Sequence, residues 1–177
     1  KDVKAAQIEL TKVSNASGTQ LSQYWDEASQ SATKYGSTIS DVISSTADWS
    51  RLGYKLDGAK KLSDATSLLQ KVGDNMTQES ASSGLISTLK GFQMNADEVT
   101  KVVDVVNEVA NTEPIDTAGI FDGLTRSASS MKAANNTFEE TVALITAANS
   151  VVQDPDSVGT AFKTKFYRNC LYVQKCA

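Results

Sequence analysis

Gly36, Gly53, Gly73, Gly91, Pro114 and Pro155 punctuate this chain, and between them the apolar residues recur at three- and four-residue steps. That period belongs to helices that bury one face. Each breaker ends its stretch for a physical reason. Glycine accepts backbone angles that terminate a helix, and proline pushes the residue before it out of the helical region. A chain written this way is expected to be all-α, a compact multi-helix bundle of about seven to nine short helices packed as antiparallel neighbours.

The clearest unit is "MNADEVTKVVDVVNEVANTEP", residues 94–114. Asn95 is placed to cap the first turn, with Glu98 three residues on to complete a capping box. Met94 and Val99 take the flanking positions of a hydrophobic staple. Val99, Val102, Val103, Val106, Val109 and Ala110 form one broad apolar stripe, with Asp97, Lys101, Asp104 and Glu108 mainly off it. Valine is a mediocre helix former. This helix must therefore be held by packing.

The same grammar places the other helices. Residues 2–14 carry Val3, Ile8 and Val13 as an apolar set. A helix from about Leu21 to Tyr35 presents Trp25 and Ala28 and stops at Gly36. One capped by Ser37 or Thr38 carries Ile39, Val42, Ile43, Thr46 and Trp49. Another starts at Asp57 with Leu62, Ala65, Leu69 and Val72. A helix from Thr77 stacks Ala81, Leu85, Leu89 and Phe92, interrupted by Gly84 and leaving through Gly91. The next begins at Asp116 with Phe121, Leu124, Ala128 and Met131. A second capping box, Thr137 with Glu140, opens a helix bearing Phe138, Val142, Ile145 and Val152, broken by Pro155. Ser157–Lys165 is a last short helix. Only "CLYV", residues 170–173, alternates like a strand. No fixed period of matching residues marks a solenoid.

Chemistry is sparse. The sequence has no histidine, which removes the commonest general base and metal ligand and every Ser-His-Asp arrangement. Cys170 and Cys176 lack the further ligands a metal site needs, and two thiols at the end of a chain suggest a reducing compartment. "GTAFKTK", residues 159–165, lacks the second glycine of a phosphate loop. Glu139 and Glu140 read as first-turn acids, "DPD" at 154–156 as turn chemistry, and Trp25 and Trp49 as core anchors. The sequons at Asn15, Asn75 and Asn135 are expected by chance in a Ser/Thr-rich chain. No catalytic, cofactor-binding or metal residue is expected, and an enzyme is not.

Composition bounds the partners. The net charge of −4 leaves little drive for stable nucleic-acid binding, and Lys60-Lys61 with the last dozen residues is the only basic hint. No apolar run approaches the roughly 20 residues that span a bilayer. The opening Lys1 suggests a chain that begins inside a longer polypeptide.

Several short patterns also occur in a telling order. They are Leu-Gly-Tyr at 52–54, Val-Gly-Asp at 72–74, Lys-Gly-Phe at 90–92, Asp-x-x-Asn-Glu at 104–108, Arg-Ser-Ala at 126–128 and Val-Gly-Thr-Ala at 158–161. Together, from about Ser45 to Thr164, they resemble the shared helical region of phage tail tape measure proteins. The resemblance implies a structural role in tail assembly and length determination, with the tail tube and tail assembly chaperones as partners. It also implies a place in the virion tail, and in the host bacterial cytoplasm during assembly. It brings no active-site residues. It divides the chain into an N-terminal helical extension (1–36), a tape-measure-like domain (37–164) and a divergent C-terminal tail (165–177). A stand-alone all-α protein-interaction module without catalytic activity is the rival reading.

Overall fold

The computed structural model describes the backbone of residues 2–175 and the side chains of residues 2–166. Among these the chain is all-α. Its helices are α1 (Val3–Val13), α2 (Gly18–Tyr35), α3 (Ile39–Arg51), α4 (Leu56–Val72), α5 (Gln78–Phe92), α6 (Val99–Thr112), α7 (Thr117–Ala133), α8 (Phe138–Val152) and α9 (Pro155–Lys175). The chain divides into two compact units, Lys1–Lys71 and Val72–Ala177.

In the first unit, α3 is buried along most of its length. Its core joins Ala6 and Leu10 of α1, Leu21, Tyr24, Ala28 and Ala32 of α2, and Val42, Ile43 and Ala47 of α3. A polar thread runs through it. The Tyr24 hydroxyl donates to Thr46 Oγ1 at 2.7 Å, and Thr46 donates to the Val42 carbonyl at 3.0 Å. The Ser63 hydroxyl of α4 donates to that same carbonyl at 3.2 Å. A buried hydroxyl needs such a partner to offset its desolvation. Lys60 of α4 also pairs with Glu27 of α2 at 2.5 Å. The caps are local. Ser17 and Gln20 form a full capping box, Thr38 caps α3, and Gly36 ends α2 at a φ of 65°.

In the second unit, α7 packs against α5, α8 and α9. Glycines allow the close approaches. A β-carbon on Gly84 would stand 2.6 Å from the Phe121 ring, and one on Gly91 2.5 Å from the Ala128 β-carbon. Both positions therefore lie inside α5 as packing sites, seven residues apart, facing α7 residues with the same separation. This corrects the expectation that Gly84 interrupts the helix and Gly91 ends it. The terminator is Gln93, at a φ of 59°.

Five other expectations change. The buried residues of α1 are Ala6 and Leu10, while Val3 and Ile8 are exposed; positions 6, 10 and 13 share a helix face and 3, 8 and 13 drift around it. In α2 the fully buried aromatic is Tyr24, with Trp25 half-buried beside it. Val72 and Val152, expected inside, are exposed. Pro155 does not break α8, which stops at the left-handed Gln153; it is the first residue of α9, where a missing N–H costs nothing. Asp154 caps that helix, accepting from the Ser157 N–H at 3.1 Å. The backbone of α9 runs helically through residues 170–173, so "CLYV" is not a strand.

The stretch at 94–114 keeps its stripe, with Val99, Val102, Val103 and Val106 buried and Val109 and Ala110 half-buried. Its entry is a short 3-10 turn, Ala96–Glu98. The Asn95 N–H donates to Glu98 Oε2 at 2.8 Å, and the Glu98 N–H to the Asn95 carbonyl at 3.0 Å.

Candidate functional site

The carboxylates that could have done acid–base work are occupied in holding helices. Glu140 accepts from the Thr137 N–H at 2.7 Å while its own N–H donates to Thr137 Oγ1 at 3.1 Å. Glu139 pairs with Lys101 of α6. That ammonium, with help from backbone donors, holds the Glu139 carboxyl below the usual glutamate range. Asp156 accepts from Arg126 Nε of α7 at 2.6 Å. Asp122 sits above the ordinary aspartate range, first because it is partly desolvated and then because Asp156 and Asp116 repel its charge. No three potential ligands gather into a metal site among the described residues.

Residues 159–165 lie within α9, so "GTAFKTK" is not a loop. Trp49 is buried edge-on to Tyr54, with ring centres 5.8 Å apart, and Trp25 stands edge-on to Tyr24 at 5.5 Å. Asn75 and Asn135 occupy left-handed turn positions, and Asn75 Nδ2 donates to Asp116 Oδ2 at 2.8 Å. The Cys170 side chain and Cys176 lie outside the described residues. Lys60, half of the Lys60-Lys61 pair, is committed to Glu27.

Each unit holds a cleft among its described residues. The first, of about 270 Å³, is lined by Val13, Asn15, Ser50, Tyr54, Lys55 and Asp57 among others; its wall hides the Ser50 hydroxyl, which has no hydrogen-bond partner. Burial pushes the Tyr54 hydroxyl above the ordinary tyrosine range. The second, of about 280 Å³, is lined by Pro114, Asp116, Asn149, Gln153 and Pro155 among others. There Asn149 Nδ2 donates weakly to the Pro114 carbonyl at 3.4 Å and its Oδ1 is buried without a partner.

The feature that sequence reading missed is on α8. Its buried residues are Phe138, Thr141, Val142, Ile145, Thr146 and Asn149. Its outward side is also largely apolar: Ala143, Leu144, Ala147, Val151 and Val152 are exposed, Val151 at 84%. A helix apolar all round is normally buried on every side. The signal was present in "FEETVALITAANSVV", which holds no base and whose only acids are in the first turn. Looking for one stripe hides a second.

Helix ends, ion pairs between helices and an exposed apolar ridge are the equipment of an all-helical structural protein. The chain belongs to the phage-related minor tail protein family, whose profile matches residues 26–169. No solved structure matches it. No helix among the described residues is long and apolar enough to cross a membrane.

Proposed function

We propose that this chain acts in tail assembly and length determination as part of a tape measure protein, working as a folded docking body with the tail tube and tail assembly chaperones as partners. One observation carries the reading: the family match at residues 26–169 falls on short helices, most closed by their own caps and turns. A continuous rod would gain about 1.5 Å of length per residue. Helices folded back on one another contribute little along the tail. The proposed tape-measure-like part is 37–164, with 1–36 as an extension and 165–177 as a divergent tail. No catalysis is assigned, and the net charge of −4 supports a body that does not hold duplex DNA. Its place is the virion tail, reached from the host cytoplasm during assembly.

The test is an in-frame deletion of residues 37–164 from the parent gene, read by electron microscopy. Failed or disordered tails are expected. Functional tails uniformly shortened by on the order of 190 Å would instead make the segment an extended ruler. Tails of unchanged length would favour the rival, a stand-alone interaction module.

A further inference from the structure

We propose that the outward face of α8 is the seat of a partner helix whose apolar seam is flanked by Lys or Arg. The inference rests on the docking-body reading for the partner being a tail component, and it names the surface that reading leaves open.

Glu140, Leu144, Ala147 and Val151 follow one another at steps of four, three and four, and Asp154 continues the series by three beyond the helix end. Alternating three- and four-residue steps are the seam of a helix that packs lengthwise against another helix. On the inward side, Phe138, Val142, Ile145 and Asn149 repeat the same steps, and they are buried. One helix thus carries two seams, and only one is covered. Leu144 is 39% exposed and Val151 84%. Ala143 and Ala147 are small, so a partner backbone can come close.

Charge selects the occupant. The outward seam starts at Glu140 and ends at Asp154, and α8 contains no Lys or Arg. The base that approaches its first turn, Lys101, is taken by Glu139. The Ser157 hydroxyl and N–H hold the Asp154 carboxyl below the usual aspartate range. Two copies of α8 laid antiparallel would bring Glu140 of one beside Asp154 of the other, and like charges oppose that pairing. A helix with apolar seam residues and bases at both ends meets no such opposition.

The probes are two synthetic helical peptides with the same Leu/Ala seam, one flanked by Lys and one by Glu, titrated against the full chain by fluorescence anisotropy. The Lys-flanked peptide should bind, more weakly as salt rises. Leu144→Ser with Val151→Ser should weaken it by about tenfold or more through lost apolar contact, with the fold kept and the melting temperature only modestly lowered, since Val151 is 84% exposed and Leu144 39%. Ala147→Lys, which alters no buried group and sets a like charge against the flanking bases, should do the same. Equal binding of both peptides, or binding indifferent to these substitutions, overturns the proposal. So does concentration-dependent self-association in sedimentation that these substitutions abolish, which would make a second copy the occupant. The peptide assay reads the surface alone. Its failure would therefore leave the outcome of the 37–164 deletion undecided, and a null deletion would leave a positive titration standing.

Discussion

The backbone of Gly159 in α9 passes so close to Gly123 in α7 that a β-carbon on Gly159 would stand 2.6 Å from the Gly123 carbonyl oxygen and 2.9 Å from the Arg126 β-carbon. Backbone cannot swing aside as a side-chain tip can. Gly159→Ala should cost about 1–3 kcal/mol, even though alanine is the better helix former. Gly18→Ala, with open space around it, should be neutral or stabilising by up to about 1 kcal/mol. Urea unfolding of the two variants checks the contrast. Equal, small effects would mean that α7 and α9 are further apart.

The valine stripe of α6 gives a graded test. Val102 and Val106 are fully buried, and Val109 is half-buried. Truncating either of the first two to alanine should cost about 2 kcal/mol, and Val109→Ala roughly half that, because a cavity forms only where no solvent enters. Chemical denaturation of the three variants would show the order. A Val109 effect as large as the others would place the end of α6 in the core.

Tyr24 buries its ring and donates its hydroxyl to Thr46 at 2.7 Å. Tyr24→Phe should cost about 1 kcal/mol, since Thr46 keeps its own bond to the Val42 carbonyl. Burial pushes the Tyr24 hydroxyl above its ordinary range. A folded-state value above the unfolded one means stability that is full below the unfolded pKa of about 10 and is lost as pH rises past it. Absorbance titration should therefore show Tyr24 ionising only together with alkaline unfolding. Early ionisation of every tyrosine would contradict its burial.

The pair Lys101–Glu139 acts in the opposite pH direction. Glu139 is held below the usual glutamate range, chiefly by the Lys101 ammonium. A depressed folded-state value gives stability that is present above the unfolded pKa of about 4.3 and lost as pH falls through the lower folded value. Both side chains are well exposed, so the effect should be small. Melting temperatures measured from neutral pH down into this acid window should fall less steeply for Glu139→Gln than for the parent. Parallel curves would remove the pair from the fold's pH dependence.

In α9, Val158 and Gly159 are buried, whereas Thr160 to Phe166 are exposed or half-buried, with Phe162 and Phe166 facing each other at 6.2 Å. Val158→Ala should then cost about 2 kcal/mol, while ending the chain after Thr164 should leave the melting temperature nearly unchanged. A loss of several degrees on truncation would bring Phe166 into the core.

Where helices begin was legible in the chain, because capping is settled within four residues. Thr38, Thr77, Asp116 and Thr137 each cap the helix that starts beside them, whereas the opening of α9 at Pro155 was read as a break. Endings were less legible. Left-handed Gln93 ends a helix that Gly91 was expected to end, and left-handed Gln153 one that Pro155 was expected to break. Gly84 and Gly91 were instead spent on close contact with α7, which no local pattern announces.

The sequence alone determined that this protein is all-helical, where most of its helices start, and that it lacks histidine chemistry. Those properties depend on residues near one another along the chain. Only the tertiary structure decided which face of α1 turns inward, that Phe121 and Ala128 need glycine opposite them, and that α8 shows an apolar seam to solvent. Burial is a relation between helices far apart in sequence. A periodic pattern says that a face wants a neighbour, and packing alone says whether one is there.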